Sequence, residues 1–217
     1  MEFVSRADWG AAPAKSTTPL VPARVTKFVL HHTTGTYKGA SSVRAIQKFH
    51  QGPERNWSDI GYNWLVGDDG TIFEGRGWGF SGAHARGHNS VSIGVAYIGD
   101  GSRPVPDVAK FSILRVAAEA DRRFGSLLRV GHRDVGSTAC PGDGLYRWWV
   151  SGPALPAAPS QTLSDGAGAS QGVSGGGVAG GGVVPSGGVS GRPGPIPDLR
   201  DGWRRHMARM GWTRRVR

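Results

Sequence analysis

The chain has 217 residues, 38% of them hydrophobic, with one cysteine and a formal net charge of +10. That length suits one ordinary domain plus an appendage. One cysteine excludes an internal disulfide framework, and no apolar run of about 18 residues exists to span a bilayer as a helix. Residues 1–150 carry 18 Lys/Arg against 13 Asp/Glu, whereas 192–217 carry 8 Arg against 2 Asp, so about half the basic excess sits on a short tail. A polyanionic surface is the partner such a tail suggests. The first ten residues show neither a basic n-region nor an apolar h-region, which predicts no signal peptide and a soluble protein made in the cytoplasm.

Residues 1–26 read as an extended arm, because Pro13, Pro19 and Pro22 block long regular structure. Residues 27–31 form a short apolar run that suits a buried strand, ending in His31 and His32. The pattern predicts a helix over 41–51, capped by Ser41 or Ser42 and stopped by Gly52-Pro53. A hairpin is expected from 62–66 and 71–74 around the turn 67–70. Residues 75–90 are glycine-rich but carry Trp78, Phe80, His84, Arg86 and His88, too functionalised for a mere connector. Residues 91–98 read as a central strand and 107–124 as the longest helix, with Val108, Phe111, Leu114, Ala118 and Asp121 tracing its inner face. A strand over 127–130 leads to His132, and 145–150 closes the domain as a helical turn. Strands and helices interspersed with one hairpin imply an α/β fold, a mixed central β-sheet flanked by helices.

The chemistry concentrates in residues 132–142, HRDVGSTACPG, where His132 stands eight positions before Cys140. An imidazole and a thiolate this close on a loop suit two ligands of one zinc ion. A lone cysteine cannot build a Cys-rich structural site, so the zinc expected here is catalytic, with three protein ligands and one open position. Three places compete for the third ligand: His31/His32, His84/His88 and His50. His50 lies on the expected helix and suits packing or a local hydrogen bond. His84 and His88 on the glycine-rich loop suit substrate contact better than ligation. His31 and His32 point to opposite faces of their strand, so only one of them reaches a given metal.

The stretches VSRADWGA (4–11), VLHHT (29–33), WSDIGYN (57–63), GRGW (75–78), GAHARGHN (82–89), SIG (92–94), His132-Arg-Asp and TACPG (138–142) together resemble the type 2 N-acetylmuramoyl-L-alanine amidases. That family is shared by phage lysozyme-type amidases and peptidoglycan recognition proteins. The resemblance covers residues 3–150 in order. It implies that His31, His132 and Cys140 hold Zn2+, that Tyr62 is the active-site phenol, and that Thr138 occupies a position that is Thr or Lys in active members. It further implies hydrolysis, by a zinc-activated water, of the amide joining N-acetylmuramic acid to L-alanine. Tyr62 and Thr138 would stabilise the oxyanion or orient the water. Trp78, His84, Arg86 and Asn89 are expected to line the substrate groove, with Arg86 pairing a peptide carboxylate and Trp78 equally suited to anchoring its loop. Binding-only members lack the zinc cysteine, and recycling amidases place Asp there, so Cys140 aligns the chain with the wall-lytic enzymes. A non-catalytic peptidoglycan-binding module is the alternative.

These readings divide the chain into a catalytic domain over 1–150, a Gly/Ser/Pro-rich flexible linker over 151–191 and a basic tail over 192–217. In the tail Leu199, Trp203, Met207 and Met210 share one face of a short amphipathic helix. The tail resembles the opening helix of peptidoglycan-binding modules in phage endolysins. It reads as a truncated wall-binding module, as a wall- or membrane-attracting basic helix, or as disordered. The expected setting is an endolysin, made in the cytoplasm as a monomer and acting on the cell wall, with peptidoglycan and not nucleic acid as its partner.

Overall fold

The computed structural model describes residues 1–154, so the tail and all but the first four residues of the expected linker lie outside the described residues. The apolar runs assemble into one five-stranded sheet of β1 (Lys27–His32), β2 (Trp64–Val66), β3 (Ile72–Glu74), β4 (Ser92–Tyr97) and β5 (Leu128–Gly131). Their order is β3-β2-β4-β1-β5. β1 pairs in parallel with β4 and β5, β2 runs parallel to β4, and only the edge strand β3 is antiparallel, to β2. A mostly parallel sheet is covered on both faces, which is why its strands read as continuous apolar runs.

Strand alternation divides the core in two. Phe28, Leu30, Trp64, Val66, Ile93, Val95 and Tyr97 pack with α2 (Asp107–Phe124) and with Leu145 and Trp149 of α3 (Asp143–Val150). Leu65, Phe73 and Ala96 pack on the other side with Val43 of α1 (Ala40–Gln51) and with Trp9 of the N-terminal arm. His31 pairs in register with Ala96, and so belongs to the α1 side.

Three details differ from the sequence reading. The buried face of α2 is Ala109, Ile113, Val116, Ala117 and Ala120, and of the expected inner set only Leu114 is buried. The expected stripe gave weight to large side chains, whereas alanines let the helix lie close on the sheet. α1 begins one residue early behind Gly39, with no side-chain cap. Ser41 instead donates to the Lys38 carbonyl (2.7 Å) and Ser42 accepts from the Lys38 N–H (2.8 Å). α3 starts at Asp143, after Gly142, whose φ of +88° and close approach to the Gly101–Ser102 backbone leave no room for a side chain.

The arm also does more than extend. Val4 accepts from the Glu74 N–H (3.0 Å) and donates to the Ile72 carbonyl (2.8 Å), covering the free edge of β3. Trp9 is wholly buried and donates its indole N–H to the Glu74 carbonyl (2.7 Å). Burying one such ring removes about 200 Å² from water, on the order of 5 kcal/mol before entropic costs. No helix among the described residues is long and apolar enough to cross a membrane.

Candidate metal centre

Two adjacent parallel strands build the site. β1 ends in His31 and His32, and β5, beside it, delivers His132 directly after Gly131. The chain then makes a tight turn over His132–Asp134 and loops out through exposed Thr138 before returning to buried Cys140. The loop ends are tied by the Arg133 N–H, which donates to the Cys140 carbonyl (2.9 Å). The Arg133 guanidinium donates to the Ala139 carbonyl (2.5 Å) and pairs with Asp143 (2.7 Å). The Tyr146 hydroxyl donates to Asp134 (2.7 Å). These ties hold His132 and Cys140 side by side, and a cis peptide joins Cys140 to Pro141.

One ligand atom from each of His31, His132 and Cys140 lies within 4.8 Å of the other two. His31 Nδ1 is 3.7 Å from Cys140 Sγ, and two such ligands of one tetrahedral zinc stand about 3.6 Å apart. The His32 N–H donates to Sγ (3.3 Å), a contact that favours a thiolate. Burial pushes the Cys140 thiol up to about 11, so a nearby cation is what would favour its ionisation. His31 is held well below the ordinary imidazole range, first by burial and then by repulsion from His84, His132 and His32. His132 is lowered by burial and by His32. Neutral imidazoles keep a lone pair each, so the donor set fits a zinc ion with one position left open.

Tyr62 stands beside this cluster, its ring centroid 5.3 Å from that of His31. Burial and the Cys140 charge raise its phenol well above the usual tyrosine range, so it keeps its proton at neutral pH. Thr138 Oγ1 accepts from the Cys140 N–H (3.1 Å). His32 turns away from the cluster, its Nδ1 accepting from the Gly101 N–H (3.0 Å). His50 accepts from the Gly61 N–H (3.0 Å) and lies 4.6 Å from Trp57, the packing role expected of it.

The four expected groove residues separate. Trp78 stacks on Trp64 (4.7 Å) and Phe124 (6.1 Å) with Arg123 over its ring, on the α2 side of the sheet opposite His31. Of the two roles expected for it, these contacts fit the anchoring of its loop. His84 is only 7% exposed, and its Nδ1 lies 3.0 Å from His31 Nε2, so it backs a side chain of the cluster and does not line an open groove. Nothing in its spacing from His31 signals that contact, because 53 residues separate the two. Asn89 accepts from the His84 and Ala85 N–H groups (2.8 and 2.9 Å), closing the loop on itself. Arg86 is exposed and forms no ion pair among the described residues. Asn63, which no local sequence pattern singles out, is fully buried. It accepts from the Gly94 N–H and donates to the Gly77 and Phe80 carbonyls (each 2.9 Å), joining the glycine-rich loop to β4. A separate cavity of about 320 Å³ lies under the arm, lined by Arg6, Asp59, Glu74 and Arg76, with none of the cluster residues in its wall.

A mixed sheet with three donors converging at the ends of two parallel strands defines an α/β protein with a candidate metal centre. The chain belongs to the N-acetylmuramoyl-L-alanine amidase family, whose model matches residues 21–143. It is 38% identical over 153 residues to peptidoglycan-recognition protein SC2 of Drosophila simulans, covering 66% of this chain and 82% of that one. To the N-acetylmuramoyl-L-alanine amidase of Homo sapiens it is 37% identical over 153 residues, 65% of this chain but only 26% of that longer protein. Among solved structures it is similar to peptidoglycan recognition protein-LE in complex with tracheal cytotoxin, a monomeric diaminopimelic acid-type peptidoglycan. That match has a TM-score of 0.65 and 30% identity, covering 71% of this chain and 95% of that one.

Proposed function

We propose that this chain is a zinc-dependent N-acetylmuramoyl-L-alanine amidase that hydrolyses the bond between N-acetylmuramic acid and L-alanine in peptidoglycan. The observation that carries the reading is the convergence of His31, His132 and Cys140 in a member of this family. A bound zinc ion would supply Lewis acidity at the scissile carbonyl and bring the pKa of a water in its open position towards about 7. The chain's own groups divide the remaining work. Tyr62 keeps its proton and donates it as a hydrogen bond to the oxygen on which charge develops. Thr138 accepts the Cys140 N–H, which turns its own hydroxyl proton outward, towards the same oxygen or towards the water. Exposed Arg86 pairs with a carboxylate of the peptide stem. The net charge of +10 favours an anionic wall, and with it a lytic, endolysin-like role.

Recognition proteins among the relatives give the second reading, binding without cleavage. One assay separates the two: new L-alanine amino termini released from purified peptidoglycan by wild type and by Cys140→Ala. The amidase reading expects release by wild type, loss with a chelator, recovery with zinc, and at least about a thousandfold loss in the variant. Undiminished cleavage by Cys140→Ala would remove the metal assignment, and binding with no new termini from either protein would establish the recognition module.

A further inference from the structure

His84, set apart above from the substrate groove, lies in a place made for it. A Cβ on Gly82 or on Gly94 would come within 2.3 Å of its ring, so these two glycines, one on the loop and one on β4, leave the space it fills. Its ring meets that of His31 nearly edge-on, with centroids 5.0 Å apart at 80°. Beyond it, Ser92 Oγ lies 3.4 Å from His84 Nε2 and donates to the His88 carbonyl at 2.7 Å. All three side chains are buried, so a stranded N–H or O–H would lose its water without replacement.

One placement of protons along this row satisfies every group and leaves His31 Nδ1 free for a metal. A carbonyl oxygen only accepts, so the Ser92 hydroxyl proton goes to His88 and Ser92 Oγ is left as an acceptor. His84 must then carry its proton on Nε2, facing Ser92, and keep a lone pair on Nδ1. His31 meets that lone pair with Nε2–H, which leaves His31 Nδ1 bare on the side of Cys140. The reverse arrangement would put a proton on His31 Nδ1, among the three ligand atoms, and would leave the buried His84 Nε2 facing Ser92 with no donor.

We infer that His84 and Ser92 are positioning residues, a buried relay that fixes the tautomer and ring orientation of His31 and so presents its Nδ1 to the metal. The inference rests on the zinc reading of the cluster. It touches neither Tyr62 nor Thr138, and acts on metal affinity before any substrate is present.

The test is the zinc dissociation constant of the full chain without substrate, measured by competition with a chromogenic chelator. Circular dichroism and the Tm of the metal-free protein serve as the folding control. His84→Leu fills space but accepts nothing, and is expected to weaken zinc binding by about ten- to a hundredfold. His84→Asn restores an acceptor towards His31 Nε2 and should recover most of that loss. Ser92→Ala, the mildest change, should weaken binding by less than His84→Leu while leaving the metal-free Tm close to that of wild type. Cobalt(II) substitution should shift the ligand-field spectrum in Ser92→Ala, which a purely space-filling role would not do. Wild-type affinity in a folded His84→Leu, or an Asn variant as weak as the Leu variant, overturns the relay. Should His84→Leu not fold, Ser92→Ala decides, and unchanged affinity and spectrum overturn it. A wild-type chain that binds no zinc overturns the metal centre itself and the relay with it, an outcome distinct from equal binding by wild type and variants.

Discussion

The candidate centre is held from two sides by different means. On the strand side, His31 is 1% exposed, backed by His84 and bounded by the packed rings of Tyr62 and His50. On the loop side, His132 is half-buried, and the segment to Cys140 is kept in shape by Arg133–Asp143, Arg133–Ala139 and Tyr146–Asp134 contacts near the surface. Buried close packing resists displacement, because small changes of volume are felt. Surface ion pairs give way more easily and weaken in salt. The strand side is therefore the fixed jaw of the site and the loop side the adjustable one.

The sharpest way to break this contrast is to press on the fixed jaw. Gly94→Ala places a methyl group 2.3 Å from two atoms of the His84 ring. Neither His84 nor β4 has room to yield, so thermal denaturation should show a loss of about 1–3 kcal/mol. Zinc affinity should fall as His84 is pushed from His31. A Gly94→Ala protein with unchanged Tm and zinc affinity would show that the strand side is softer than its packing implies.

A milder test is acid. His50 belongs to the fixed jaw, and burial with the Arg55 and Arg76 charges lowers its pKa to about 4, against about 6.5 in an unfolded chain. Because the folded value is depressed, the unfolded state takes up the proton first. The neutral-imidazole contribution is complete above pH 6.5, is lost as the pH falls, and levels off near pH 4. Discounted for partial solvent access, it is on the order of 1 kcal/mol, roughly 2–4 °C in Tm. His50→Gln keeps an acceptor for the Gly61 N–H without a titrating ring, and should flatten the Tm slope between pH 6.5 and 4. An unaltered slope would place the acid sensitivity elsewhere.

The two sides were also unequally legible in the sequence. The strands and the long helix stood out because parallel strands buried on both faces leave continuous apolar runs, as in 27–31 and 91–98. His132 and Cys140 announced themselves by lying eight positions apart on one loop. His31 needed the family resemblance, since β1 and β5 become neighbours only through a parallel pairing that no local pattern specifies. The inner face of α2 is not legible in the sequence, because its alanines carry little weight in a periodicity dominated by large side chains. Trp78 and His84 were the hardest. The same glycine-rich loop sends one ring to the α2 side of the sheet and the other to the α1 side, and composition cannot tell a groove from two separate cores.

The smallest expected effect belongs to the adjustable jaw. Arg133 is 25% exposed and its partner Asp143 66%, so the pair contributes at most about 1 kcal/mol to global stability. Arg133→Ala should barely move Tm, yet it frees the Ala139 carbonyl and loosens the segment that sets Cys140 beside His132. Zinc affinity is then expected to fall by a few fold, about 1 kcal/mol or less. The wild-type affinity should also fall towards that of the variant as salt is raised, because screening weakens the same ion pair. His84→Leu, whose lost contact is buried and uncharged, should show no such convergence. If salt draws wild type to the His84 variant as readily as to the Arg133 variant, the two sides are held alike and the contrast fails.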